Sequence, residues 1–340
     1  MGNTHTEIIR EFDRLIRRDP GKRGLIDSEV HFGPLCQDHL LQSAFALKQN
    51  SSQVVITTGF YVPTAEIPAA ETDGPPGAVL LALVLEACGF NTSVVTDELC
   101  APVVSATVDA FSYPASKLNV LSTEQPDWVE SFFSRQSISH LISVERVGPS
   151  HTLDSVEGQQ RESTVESSNI PSVEFQKKVS RDHFDRCHNM RGEIIDEFTA
   201  PLHQLFERLS EYFPEAKTIG VGDGGNEIGM GAIPWENLDR RIDSDHSALI
   251  PCRIATDWNI VAGTSNWGAS ALAAAVALLH DQTDVLFEYQ REEQQKVLET
   301  IVREANAVDG VTKQREPSVD GLPFLTYMQP WEGILKILAR

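Results

Sequence analysis

Apolar residues recur along this 340-residue chain with two different periods. Over 6–18, Ile8, Ile9, Phe12, Leu15 and Ile16 fall at helical spacing and predict an amphipathic surface helix. A second helix is expected near 34–48. QVVIT (53–57) reads as a short buried strand, and 77–88 as an apolar helix with Pro75 and Pro76 near its start and Gly89 past its end. The alternation continues with strand 93–96, helix 98–109, strand 118–122, helix 126–135 and strand 140–145. Beyond these the pattern predicts a helix over 192–213, strands at 218–221 and 251–257, and helices at 268–280, 290–306 and 331–338. The strands are runs of Val, Ile and Leu without strict polar alternation, as in a sheet covered on both faces. The expected fold is therefore α/β: a mixed, largely parallel sheet with helices on both faces and a site at the loops beyond the strand C-termini. Residues 151–180, rich in Ser, Glu and Gln, read as a flexible insertion in a single domain spanning 1–340.

Charge narrows the partners. Lys and Arg number 28 against 49 Asp and Glu, a net charge of −21. Such an excess of acid argues against nucleic acid and against anionic membrane surfaces. The five cysteines include no CxxC pair, which suits a reducing compartment. No apolar run reaches the length of a membrane span; 77–90 comes closest and contains Glu86. The N-terminal stretch lacks a secretory apolar region and carries Glu7, Glu11, Asp13 and Asp19, so a cytoplasmic location is expected. Whether the chain is a monomer or a homo-oligomer is left open by the sequence.

The chemistry concentrates in three loops, each following a strand. GVGDGGNEIGMG (220–231) holds six glycines in twelve residues, with Asp223 and Glu227 among them. Its letters satisfy GxGxxG, but the two acids would repel a pyrophosphate, so no nucleotide cofactor is expected. The acidic alternative fits better: Gly224 and Gly225 let Asp223, Asn226 and Glu227 converge on a small polar target, either a hard cation such as Mg²⁺ or Mn²⁺ or a substrate ammonium. ETDGPPGA (71–78) places Asp73 before a helix, as a cap or beside an anion site. TTGF (57–60) offers Thr58 and Gly59 for the same purpose. SVERVG (143–148) puts Glu145 and Arg146 at a strand end, either as an ion pair or as a general base and a carboxylate clamp. GTSNWG (263–268) sets Ser265 and Asn266 before a small-residue helix.

Together, ITTGF, ETDGPPGA, SVERVG, NMRG (189–192), GVGDGGNEIGMG, SNWGA (265–269) and VDGLPF (319–324) resemble the D-glutamate cyclase family, known as the C-terminal domain of a vertebrate mitochondrial enzyme. The resemblance runs in order from about 8 to 338. The chain departs from it in the long stretch 151–180 and in Ala269, where a second glycine is common. The resemblance implies closure of D-glutamate to 5-oxo-D-proline with loss of water, and it makes the mitochondrial matrix the alternative location. Matching the chemistry of that reaction to the residues gives Asp73, Asp223 and Glu227 as candidate metal ligands, Glu145, Asp223 and Glu227 as candidate catalytic acids and bases, and Thr58, Gly59, Arg146, Gly224, Gly225, Asn226, Ser265 and Asn266 as candidate substrate contacts. The alternatives are a metal-dependent phosphatase on the same acidic cavity, and a protein that binds amino acid or metal without turnover.

Overall fold

The computed structural model describes residues 2–49, 52–161 and 171–340. Six strands form one sheet: β1 (Gln53–Thr58), β2 (Asn91–Asp97), β3 (Leu118–Leu121), β4 (Ile138–Val144), β5 (Lys217–Gly222) and β6 (Trp258–Val261). Their order is β3-β2-β1-β4-β5-β6, and every pairing is parallel. Two short antiparallel hairpins, Tyr61–Val62 with Ala69–Ala70 and Ser318–Val319 with Leu322–Pro323, lie outside this sheet.

The missing polar alternation in the strands has a direct cause. In β1, Val54 and Ile56 enter one core while Val55 enters the other. In β4, Ile142 and Val144 do the first and Leu141 the second. Successive side chains point to opposite faces, and both faces are covered, so these strand positions are apolar in succession. The larger core is covered by helices that include Pro75–Ala87, Ala101–Ala110, Ser265–Leu279 and Arg291–Ala305; the smaller one by Trp128–Phe133, His203–Tyr212 and Trp235–Arg241.

This strand order places a switch point between β1 and β4. The chain leaves β1 toward one edge and returns at β4 to build the other. The connections diverge there and open a crevice at the carboxyl ends, where ligands of such sheets bind. Thr58 pairs with Val144 across that boundary. The loops beginning at Gly59 and Glu145 therefore flank the crevice, and the loop after β5 adjoins them.

Three expectations need correction. Residues 251–257 are not a strand; the edge strand is Trp258–Val261. Pro251 and the polar Arg253 and Asp257 suit a strap, and its backbone holds the glycine loop: Cys252 N donates to Gly225 O (2.9 Å), and Gly229 N and Gly231 N both donate to Ile254 O. The helix expected over 192–213 begins only at His203, because Pro201 interrupts the run. Within 151–180, Leu153–Gly158 and Pro171–Lys178 are helices, and Val156 and Phe175 pack with Trp235 in a small core. Residues 162–170 lie outside the described residues.

Burial also sets a pH response. His140, inside β4, is fully buried and its Nε2 has no partner. Burial pulls its pKa from the ordinary 6.5 down to about 4. His151, lowered to about 3, and His188, lowered to about 4, act in the same sense, again chiefly through burial. Between those values and 6.5 the unfolded chain binds more protons than the folded one, so this stability is present above 6.5 and is lost as pH falls toward 4. For His140 the effect is about 3 kcal/mol. Urea unfolding at pH 6.5 and 5.0 should show a loss on acidification that is smaller in His140→Leu. An equal loss in both proteins would contradict this account.

Candidate active site

The glycine loop closes on its own glutamate. Glu227 Oε1 accepts from the backbone N–H of Asp223 (3.1 Å) and Gly224 (2.6 Å), and Oε2 accepts from Gly225 (2.8 Å). This is a nest of backbone donors around an anion, and the anion belongs to the protein. Gly225 has φ 105°, a conformation that side chains disfavour. A Cβ on Gly222 would lie 2.9 Å from the Glu227 carboxylate. The N–H groups of a dinucleotide-like loop are thus satisfied internally, and no helix begins until Trp235.

A second carboxylate is held in a similar way. Asp73 accepts from Ser265 N (2.7 Å) and Asn266 N (2.9 Å), at the N-terminus of helix Ser265–Leu279. Asn266 reciprocates: its Oδ1 accepts from Gly74 N (3.0 Å) and Gly77 N (2.7 Å) in the first turn of helix Pro75–Ala87. Each loop caps the other's helix. Gly77 permits this, since a Cβ there would lie 2.7 Å from Asn266 Cα. The helix N-terminus that ETDGPPGA offered to an anion is therefore taken by Asn266 Oδ1, and that of Ser265–Leu279 by Asp73.

Around these two sit four more buried acids. Glu145 has φ 47° and Asp320 φ 53°, both left-handed and strained for residues with side chains. Ser265 Oγ donates to Glu145 Oε2 at 2.6 Å. Asp223 and Asp320 share Arg23: Nη1 donates to Asp223 Oδ2 (3.0 Å) and Asp320 Oδ2 (3.1 Å), and Nη2 to Asp320 Oδ1 (2.8 Å). Asp223 Oδ1 is buried without a partner. Glu71 completes the group, so six buried carboxylates gather about one guanidinium.

One cation cannot balance them. Burial, then the charge of Glu145, raises the Glu71 carboxyl well above its ordinary range. Burial and Asp320 raise Asp73 to about 8, against the N–H groups of Asn266 and Ser265. Glu145 is raised well above its ordinary value by burial, Glu227 and Asp73. Asp223 is raised by burial in spite of Arg23. Burial and mutual repulsion thus shift these acids toward their protonated forms, and a cation beside them would favour the charged forms.

A cavity of about 280 Å³ opens onto the cluster. Glu71, Glu145, Asp223, Asn226 and Glu227 line it, as do Arg23, Arg191 and Lys313. It lies at the small end of ligand pockets, which run about 300–1,000 Å³, and suits a small polar metabolite.

The sequence-derived residues divide accordingly. Glu145, Asp223, Glu227 and Asn226 meet at the cavity, and Asp73 lies close behind, its carboxylate beside that of Asp223. Gly224 and Gly225 serve the Glu227 nest. Ser265 and Asn266 bind Asp73. Arg146 is not placed as a carboxylate clamp: it is buried against Asp97 (2.5 Å) and donates to Gly59 O (2.9 Å) and Ala200 O (2.7 Å). That arrangement also commits the carbonyl of Gly59, and Thr58 O accepts from Thr96 Oγ1; neither residue lines the cavity. The expected metal set Asp73, Asp223 and Glu227 is likewise divided. Oxygens of Asp73, Asp223 and Asp320 approach within 4.8 Å of one another, and so do those of Glu145, Asp223 and Glu227, with Asp223 common to both groups. Arg23 and Asp320 escaped the sequence reading, and Glu71 was read beside Asp73 but given no role. Glu71 and Asp320 stand in stretches already singled out, ETDGPPGA and VDGLPF, whereas nothing local marks Arg23.

Comparison with known proteins gives the family. A family model described as D-glutamate cyclase-like, C-terminal, matches residues 12–334. The chain belongs to that family. It is 30% identical over 290 residues to human "D-glutamate cyclase, mitochondrial", a match that covers 81% of this chain and 39% of that protein. The chain thus spans about two-fifths of the length of this curated relative. Among the described residues, no helix is long and apolar enough to cross a membrane.

The electrostatics of this D-glutamate cyclase-like site can be read in stability. Because the raised carboxyls bind more protons folded than unfolded above their ordinary pKa, their contribution is lost as pH rises toward about 8. The buried histidines act in the opposite sense and fade above 6.5 as the unfolded chain's imidazoles lose their protons, so the upper part of the window from 6.5 to 8 isolates the acids. In the metal-free protein, the unfolding midpoint should fall across that window, and Glu71→Gln should flatten the fall and raise stability at pH 8. A steeper fall in the variant would reverse the assignment. Asn266→Ala should cost about 2 kcal/mol in urea unfolding, since two N–H groups of helix Pro75–Ala87 lose their acceptor; an effect under a few tenths would show that the reciprocal cap carries no weight.

Proposed function

We propose that this chain closes D-glutamate to 5-oxo-D-proline with loss of water. The observation that carries the reading is the ring of buried carboxylates, several with pKa raised by burial and mutual repulsion, at a cavity of metabolite size. Family membership and the printed name of the human relative support the substrate.

The reaction joins the substrate's amine to its own γ-carboxyl. Both groups are on one molecule, so holding it folded supplies much of the rate. Proton transfers remain. The nitrogen must lose two protons, one to become a nucleophile and one after it attacks, and the γ-carboxylate must gain two for an oxygen to leave as water. Glu145 is suited to giving a proton to the departing oxygen, because it faces the cavity and because burial, with its neighbours Glu227 and Asp73, raises its pKa well above the ordinary value. Asp223 is suited to taking a proton from the nitrogen. Its Oδ1 has no partner, and an ammonium beside it would favour the ionised form that can accept one. Arg23 holds the other oxygen of Asp223 in place. The strained backbone at Glu145 suits a residue held for function rather than for the strand it follows.

A divalent cation fits the same donors. The unpartnered Asp223 Oδ1 and the clustered oxygens of Asp73 and Asp320, or of Glu145 and Glu227, form a hard oxygen set suited to Mg²⁺ or Mn²⁺. Bound there, it would polarise the γ-carboxyl as a Lewis acid.

Proton NMR of the protein with D-glutamate, in Mg²⁺, in Mn²⁺ and after EDTA, should show 5-oxo-D-proline, and L-glutamate serves as the comparison. Glu145→Gln should lower kcat by about 10²- to 10⁴-fold, the usual worth of a general acid, with a smaller change in KM. Absence of product with every metal would overturn the reading.

A further inference from the structure

We infer that Arg191 and Lys313 form the carboxylate-binding edge of the cavity and hold the α-carboxylate of an amino-dicarboxylate substrate. This deepens the cyclase reading and rests on it for the identity of the substrate, though not for the existence of the anion site.

The cavity carries a charge gradient. Its acids, Glu71, Glu145, Asp223 and Glu227, are all buried, while Arg191 is exposed and Lys313 half-buried. The acids therefore lie inward and these two cations outward. Of the three cations that line the space, Arg23 is committed to Asp223 and Asp320. Among the described residues, neither the Arg191 nor the Lys313 side chain has an ion-pair or hydrogen-bond partner, in a chain with a large excess of acid. An anionic substrate meeting only the acidic floor would be repelled. Cations at the entrance remove that barrier and attract it.

Both cations are set on built turns. Arg191 lies in a turn closed by Gly192 N donating to Asn189 O (3.0 Å), while Asn189 Oδ1 accepts from Arg191 N (2.9 Å) and Glu193 N (3.1 Å). Lys313 has φ 60° and donates its N–H to Asp309 O at 2.7 Å. The fully buried Asp309 carboxylate then accepts from Val311 N (2.9 Å), Thr312 N (2.8 Å), Ser318 Oγ (2.7 Å) and Gly321 N (2.8 Å). One buried acid thus positions Lys313 at one end of its loop and Asp320 at the other. Binding and chemistry are coupled through that loop.

The chemistry decides which end of the substrate these cations take. The amine and the γ-carboxyl must both reach the proton-transferring acids at the floor. The α-carboxylate is unchanged by the reaction and is the group left for the outer cations. A charge-assisted hydrogen bond is worth enough to change binding about 10-fold or more.

The test uses the full-length chain and its Arg191→Ala, Lys313→Ala and Arg315→Ala forms, the last a nearby exposed cation that does not line the cavity. Thermal unfolding first establishes that all are folded. Steady-state kinetics on D-glutamate should show KM raised about 10-fold or more in the first two variants with kcat little changed, and no effect in the third. Calorimetry with glutarate, a dicarboxylate that has no amine and cannot react, should show weaker binding in the same two variants. If the protein forms no 5-oxo-D-proline yet glutarate binding still depends on Arg191 and Lys313, the cyclase reading fails and the anion site stands. If product forms while KM and glutarate affinity are unchanged in both variants, the anion site is overturned and the cyclase reading survives. A kcat loss without a KM change would also overturn it, placing these residues in a different role.

Discussion

The structure is organised around buried carboxylates that outnumber the cations able to neutralise them. Each of Glu71, Asp73, Glu145, Asp223, Glu227 and Asp320 is at most 5% exposed, and Arg23 is the one guanidinium among them. Isolated burial of so many charges would cost far more than a domain's net stability. The protein limits that cost in two ways. Backbone N–H groups face the carboxylates of Glu227 and Asp73, and burial and mutual repulsion shift Glu71, Asp73 and Glu145 toward their protonated forms. A cluster of this kind would favour a cation, ammonium or metal, beside it. Function and instability have the same origin here.

The scaffold explains how loops distant in sequence can share that constraint. Parallel strands deliver their carboxyl ends to one edge, and the reversal of order between β1 and β4 keeps the space open. The reciprocal caps of Asp73 and Asn266 then lock two buried helices to the cluster. On the far side, Arg146 ties Asp97 at the end of β2 to Gly59 after β1 and to Ala200. Glu145 and Arg146 are adjacent, yet they serve opposite purposes: one is turned by its strained backbone toward the cavity, the other into the support behind it.

The sheet was legible because its signal is local. A strand buried on both faces must be apolar in succession, as Val54, Val55 and Ile56 are, and no other part of the chain has to be known to see it. The edge strand was misplaced because Asn259 interrupts WNIV, while the neighbouring Ile254 and Ala255 mimic a strand in a strap. Glu145, Asp223 and Glu227 were legible as acids in glycine-rich turns at strand ends. Their partners were not. Arg23 is 200 residues from Asp223 and 297 from Asp320, and nothing in DPGKRG signals either contact. Arg146 misled for the same reason: adjacency to Glu145 suggested a shared site, but the φ of 47° at Glu145 sends the two side chains apart.

The glycine loop shows why letter patterns fail without their surroundings. In dinucleotide folds the glycines bring free N–H groups to a phosphate at a helix N-terminus. Here the same spacing follows β5 rather than β1, the next helix is absent for a dozen residues, and the N–H groups are filled by Glu227. A glutamate two to four residues beyond the donors is within reach of a loop this tight, so the protein supplies its own anion. That inverts the electrostatics of the motif: a nest that elsewhere recruits a negative ligand presents, from this loop, a negative surface. A positively charged group would meet that surface favourably and a phosphate would not, and this reversal of sign, rather than the glycines themselves, sets the loop apart from a dinucleotide motif.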